Sequence, residues 1–259
     1  MAMASVAATN GLALYLYGIV AADAEAGFVG SGVGGADVDM WTEGRVAAVA
    51  SPLAAGKLRP QRAHLAAHHR VLSELALLGP VLPVVFGTLV ESEPQLRDFL
   101  RLNHDRLAGL LERIEGKVEL GLKVYWDTAN IFEYFVATHQ ELEAMRNRLF
   151  QPGRTATVEE KLALGEAFAS ALQQARQRHT RRVREALAPY CAEIRDVSPG
   201  DEQMIMKLAC LVERDRQSQW EEGVRQAAML FDDHYRFHYS GPWPPYNFVD
   251  LDLGAACSS

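Results

Sequence analysis

Three histidines gather in one stretch of this chain, His64, His68 and His69. His64 and His68 stand one helical turn apart, a spacing at which two imidazoles can share a metal ion. No HExxH pattern supplies a general base beside them, and no nearby cysteine or carboxylate pair completes a ligand set. The expected reading is therefore an exposed or half-buried histidine face, with a metal enzyme built on this helix as the sharper alternative. A second cluster is Asp232-Asp233-His234 with His238. The two aspartates adjoin at a helix end and the histidines need not converge on them, so a charged helix-to-strand connection is expected. Asp250 and Asp252 lack further ligands. Gly30, Gly32 and Gly35 match GxGxxG, but a pyrophosphate needs a helix to begin there, and Asp37 to Thr42 reads as a strand. That glycine pattern reads as a loop. No GxSxG, Walker loop, CxxC or EF-hand loop occurs. No catalytic residue, cofactor or metal ligand is assigned, and no enzyme is expected.

The bulk properties narrow the field further. The chain has 259 residues, 49% of them hydrophobic and 23% charged, enough to bury a core in one large or two small domains. Its net charge of -7 argues against nucleic acid or an anionic membrane as the main partner. Cys191, Cys210 and Cys257 are odd in number and far apart, which fits a reducing cytoplasm. The apolar run Leu12 to Ala22 is far short of the roughly 20 residues of a membrane span. Neither a membrane span nor secretion is expected, and residues 1–11 are expected to be disordered.

The elements that must position any site follow from periodicity. Leu12 to Val20 is apolar on both faces, as a strand covered on both sides is. Asp37 to Thr42 and Arg45 to Ser51 read as a hairpin turning at Glu43-Gly44. Gln61 to Leu78 reads as a helix with Leu65, Leu72, Leu75 and Leu78 inward. Val81 to Phe86 reads as a short strand that Pro83 confines to an edge or a strand start. Ser92 and Gln95 form a capping box for one helix running to about Glu115, with the stripe Leu96, Leu100, Leu107, Leu110, Leu111 and Ile114.

Lys117 to Trp126 alternates, with Val118, Leu120, Leu122, Val124 and Trp126 on one face. Asp127 or Thr128 is expected to cap one helix to about Phe150, and Thr157 with Glu160 caps another to about Ala188. This long helix carries Arg176, Arg178, Arg181, Arg182 and Arg184 without interleaved aromatics. It reads as a solvated face, with a docking surface for an acidic partner as the alternative. Cys191 to Val197 and the nearly all-apolar Met204 to Val212 read as strands. Ser218 and Glu221 are expected to cap a helix with Trp220, Val224, Ala227 and Phe231 inward, and His234 to Tyr239 alternates as a last strand. The order strand, helices, strand, strand, helix, strand is the ferredoxin-like βαββαβ pattern with an enlarged first helical crossover. The expected fold class is α+β, in two domains. These are an N-terminal α+β module over 12–116 and a ferredoxin-like domain over 117–240. An extended Pro/aromatic tail over 241–259 follows them.

That tail reads Gly241-Pro242-Trp243-Pro244-Pro245-Tyr246-Asn247-Phe248-Val249. Three prolines in four positions fix φ and remove donors, excluding a helix or a central strand. Trp243, Tyr246 and Phe248 either pin the tail across its own domains or contact a partner, and intramolecular packing is the commoner use of such rings. Together with PVLPVVFGT at Pro80 to Thr88 and LYLYGIV at Leu14 to Val20, the tail resembles the gas vesicle accessory proteins of the F/L type (GvpF/GvpL). The three stretches stand in that family's order at the start, middle and end. Where members often carry a basic residue before Phe-Gly-Thr, this chain has Val85.

The resemblance implies a cytoplasmic accessory or minor structural protein of gas vesicle assembly. Its implied partners are the small hydrophobic gas vesicle shell protein and other gas vesicle accessory proteins. Open sheet edges and an aromatic tail suit the holding of such an aggregation-prone partner. The alternative is a ligand-sensing ferredoxin-like regulatory module without catalysis.

Overall fold

A strand that is apolar on both faces can be stable only between two layers, and the first sheet is built around one. In the computed structural model, which describes residues 12–23, 30–54, 61–153, 155–251 and 257–258, β1 (Leu12–Ala21) pairs antiparallel with β3 (Val46–Ala54). The disorder expected for residues 1–11, and Asp252, lie outside the described residues. A bulge between Leu16 and Gly18 switches the phase of β1. Leu14, Leu16 and Ile19 therefore share one core cluster, while Tyr15, Tyr17 and Val20 share the other. β2 (Asp39–Glu43) pairs with β3 through the turn at Gly44, as the hairpin reading expects.

α1 (Arg62–Leu78) buries Ala67, His68, Val71, Leu72 and Leu75. This corrects the expected stripe, because Leu65 and Leu78 are 46% and 51% exposed. The helix turns its histidine inward, where a hydrogen-bonded partner on β1 receives it. β4 (Val81–Pro83) is shorter than the strand expected to Phe86, and its three residues pair with β1. The chain then turns into β5 (Leu89–Val90). The single helix expected from Ser92 is two, α2 (Glu93–Leu102) and α3 (His104–Ile114). Between them the Asn103 side chain donates to the Phe99 carbonyl at 2.9 Å, a side-chain bond that competes with the helical ladder. Ser92 caps α2 by accepting from the Gln95 N–H, whereas the Gln95 amide turns to Glu91 and leaves the box half made.

The second sheet follows the same order of elements as its sequence pattern. β6 (Lys117–Trp126) buries Val118, Leu120, Leu122, Val124 and Trp126 as expected, and Glu119 besides. The helix expected up to Phe150 is again two, α4 (Ile131–Thr138) and α5 (Gln140–Leu149). Asn130, not Asp127 or Thr128, caps α4 by accepting from Phe132 and Glu133 N–H groups. At the joint the His139 ring stacks on Phe135, with centroids 5.0 Å apart. α6 (Val158–Leu187) has the full capping box of Thr157 and Glu160. β7 (Glu193–Val197) and β8 (Met204–Glu213) pair antiparallel.

α7 (Gln217–Ala228) buries Trp220, Val224 and Ala227, but no side chain caps it: a short 3-10 turn over Arg214–Arg216 leads into it instead of the expected Ser218. β9 (Tyr235–Trp243) closes the sheet in the order β7-β8-β6-β9, so β6 and β8 are central and β7 and β9 are edges. β9 runs on through Pro242, which an edge strand tolerates because its outer side needs no donor. β10 (Cys257–Ser258) pairs with β5, giving the first sheet the order β10-β5-β1-β3-β2.

The described residues up to Glu119, with those from Pro242 onward, form one compact unit, and Leu120–Gly241 form another. No helix among the described residues is long and apolar enough to cross a membrane.

One close approach in the first unit makes a sharp test. Gly32 lies where a Cβ would stand 2.0 Å from the Tyr17 hydroxyl oxygen, the atom that accepts the Val33 N–H at 2.7 Å. Gly32→Ala is expected to lower stability by about 1–3 kcal/mol in urea titration through overpacking and loss of that bond.

Candidate functional site

Burying Tyr15, Tyr17 and His68 obliges each polar atom to find a partner inside the protein. The Tyr15 hydroxyl stands 2.8 Å from His68 Nδ1, and His68 Nε2 stands 3.2 Å from the Val84 carbonyl oxygen. A carbonyl only accepts, so Nε2 carries the proton and Nδ1 accepts from Tyr15. The Tyr15 oxygen in turn accepts the Gly87 N–H at 3.3 Å. Tyr17 pairs with Ser51 at 3.0 Å and stacks on the His68 ring at 5.7 Å. Phe86 meets His68 edge-on. His68 is 4% exposed, and burial lowers its pKa to about 4. Burial likewise raises both tyrosines, so all three rings are neutral at pH 7.

This geometry corrects the expected histidine face. His68 is buried, and both its nitrogens are engaged, so it has no lone pair left for a metal. His64 and His69 remain half-buried on the same helix. Two of the stretches singled out in the sequence, LYLYGIV and PVLPVVFGT, meet at this one histidine. Val85, by contrast, is 74% exposed.

The tail builds the second feature of this unit. Glu119 is 6% exposed, and its carboxylate accepts two bonds from one residue: the Asn247 N–H at 2.8 Å and the Asn247 side-chain amide at 2.5 Å. Such charge-assisted pairs are the stronger class of hydrogen bond. Phe248 is 1% exposed, and Pro244 and Pro245 are buried. Val249 and Leu251 pack on the core cluster of Leu14, Leu16 and the α2 and α3 leucines, and Arg106 donates to the Asp250 carbonyl at 2.7 Å. Trp243 lies 5.3 Å from the His69 ring and keeps 39% of its surface exposed; Tyr246 keeps 37%. Burial, with the Glu119 charge adding to it, raises the Tyr246 pKa to about 12. Glu119 and Asn247 were missed in the sequence. A lone glutamate on an alternating strand carries no signal of burial until its partner is known.

The remaining candidates do not converge. His234 bonds to Asp232 through its backbone N–H at 2.9 Å and its ring at 3.1 Å, in an exposed turn. His238 stands against Tyr125 instead. Gly32 and Gly35 border a short 3-10 turn that docks on Tyr17, and no α-helix begins there. Among the described residues no group of three His, Cys, Asp or Glu side chains is placed to hold a metal ion.

The architecture and these motifs have relatives. Residues 13–250 match the family model of the gas vesicle synthesis protein GvpL/GvpF, so the chain belongs to the GvpL/GvpF family. It is 33% identical over 217 residues to gas vesicle protein F of Streptomyces sp. strain CB03234, covering 82% of this chain and 88% of that protein. It is 29% identical over 244 residues to gas vesicle protein L of the same strain, covering 85% and 86%. The crystal structure of the gas vesicle protein GvpF from Anabaena sp. PCC7120 has the same fold. The TM-score is 0.79 at 23% identity, over 93% of this chain and 99% of that one.

Two experiments test these clusters. His68 titrates near 6.5 when unfolded and near 4 when folded, so the folded state binds fewer protons in between. Its contribution is complete above about pH 6.5 and is lost as pH falls towards 4, a loss of about 3 kcal/mol. Guanidinium melts at several pH values are expected to show this slope, and His68→Gln is expected to remove it. Asn247→Asp would set a carboxylate against buried Glu119. It is expected to cost about 2–4 kcal/mol and to open the tail to limited proteolysis, with Asn247→Ala milder.

Proposed function

We propose that this protein works in building gas vesicles, as an accessory or minor structural protein that binds the small hydrophobic shell protein. The observation that carries this reading is the family match, which runs from the first strand into the tail. The same reading associates the protein with the vesicle in the cytoplasm and allows contacts with other accessory proteins. It assigns no catalytic role.

Two features of the chain support a partner-holding role. The second sheet, in the order β7-β8-β6-β9, leaves β9 as an edge, exposed from His238 to Trp243, which supports a ferredoxin-like reading of that unit. Exposed edges and aromatic rings are what an extended hydrophobic chain can pair with. The tail also divides its aromatics by exposure, with Phe248 buried and Trp243 and Tyr246 more than a third exposed. On this reading Phe248 anchors the segment, and Trp243 and Tyr246 meet the shell protein.

The test is co-expression with the shell protein followed by pull-down, with an unrelated hydrophobic protein as control. Selective retention is expected. Trp243→Ala with Tyr246→Ala is expected to cut retention about tenfold at an unchanged melting temperature, as loss of interface aromatics does. Phe248→Ala is expected to lower the melting temperature instead. Equal retention of the control, or full retention by the double variant, would remove the assigned surface.

A further inference from the structure

The arginines of α6 serve no part of the reading above, yet they do not all belong to a merely solvated face. Arg176 donates to the Met204 carbonyl at 3.2 Å and the Glu202 carbonyl at 2.6 Å. Arg184 donates to the Ile194 carbonyl at 3.3 Å and pairs with Asp196 at 3.2 Å. These two tie the helix to β7 and to the start of β8. Between them runs a cleft of about 640 Å³, in the size range of ligand pockets. Arg181 and Lys207 line it, and neither has a hydrogen-bond or ion-pair partner among the described residues. Lys207 interrupts the otherwise apolar run Met204–Val212 on a central strand and is only half-exposed. Such a position seldom carries an unpaired ammonium.

We infer that this cleft binds an extended acidic segment of a partner protein, one that alternates carboxylates with apolar side chains. Three observations specify that occupant. The first is charge: four cations line the cleft against two carboxylates, Glu185 and Asp196, in a chain whose net charge is -7. Asp196 is already paired with Arg184, so Arg181 and Lys207 are the cations left to receive an anion. The second is the apolar part of the lining, where Val197 and Pro199 offer surface that a hydrated inorganic anion would not use. The third is shape. The lining follows α6 from Gln173 to Glu185, about 18 Å at the helical rise, which spans about five residues of extended chain. The cleft also lies beside β7, an edge strand of the sheet, where extended segments dock.

The test uses the full chain and fluorescence anisotropy with a labelled peptide of alternating Glu and Leu. Peptides of alternating Lys and Leu, and of Glu and Ser, are the comparisons. The Glu-Leu peptide is expected to bind at least about tenfold more tightly than either, and more weakly as salt rises. Arg181→Glu and Lys207→Met are each expected to weaken binding about tenfold, with melting curves confirming a folded chain. Binding of the Lys-Leu peptide with equal affinity would overturn the proposal. So would binding unchanged in both variants, or citrate and inorganic phosphate competing as strongly as the peptide, since the site would then be one for small anions. The outcome is independent of shell-protein retention, which reads a different surface.

Discussion

Strand β1 has no side that faces water, and the first unit is arranged to meet that constraint. One face of the strand is satisfied by apolar contact with β3, α2 and α3. The other carries two tyrosines, whose hydroxyls would each cost about 1–3 kcal/mol if left unpaired. The answer draws in four separate pieces of chain: His68 from α1, Ser51 from β3, the Val33 N–H from the glycine-rich loop, and the Gly87 N–H beyond β4. A helix, a strand and two loop segments are thus each tied to the same strand by a hydrogen bond. The buried histidine fits because its two nitrogens differ. One donates to a carbonyl and the other accepts a hydroxyl, so a neutral ring satisfies both without a charge.

The tail answers a second buried polar group in the same currency. Glu119 sits on β6 among apolar neighbours, and a carboxylate there needs donors. Asn247 supplies two from a single residue, which fixes the register of the tail as well as its affinity. Pro244, Pro245 and Phe248 then bury on either side of the clamp, and Arg106 holds the Asp250 carbonyl. The result is a segment whose backbone is stiffened by proline and pinned at several points, with two large rings still partly in solvent. A segment of that kind loses little further entropy on meeting a partner.

In the second unit the long helix divides its arginines by task. Arg176 and Arg184 cap backbone carbonyls near the ends and outer edge of the sheet, where the ladder leaves acceptors open. Arg182 lies over the Phe231 ring. Arg181 alone among those facing the cleft has no partner among the described residues, and it lines the same cleft as Lys207, which interrupts the apolar run Met204–Val212 of a central strand. A run of like charges thus contains both structural ties and free cations. The difference lies in what stands opposite each one.

Much of this was legible in the residues themselves. Alternation located β6, an unbroken apolar run located β8, and a helical stripe gave Trp220, Val224 and Ala227 of α7, although Phe231 lies beyond its end; such patterns record burial shared along an element. The capping box of Thr157 and Glu160 marked the start of α6 for a local reason: both partners lie within one turn. The membership of the family was also legible, in three stretches that hold strand, turn and tail in order. Other features were decided only by the tertiary structure. At the helix breaks the Asn103 side chain bonds back to the Phe99 carbonyl and the His139 ring to the Phe135 carbonyl, contacts that the apolar stripe does not register. The inward turn of His68 in place of Leu65 depends on a tyrosine 53 residues away in sequence. The burial of Glu119 depends on an asparagine 128 residues further along the chain. A sequence read locally determines which face of an element is apolar. Which polar group is carried inside is settled by the partner that long-range packing delivers, because only that partner offsets the loss of water.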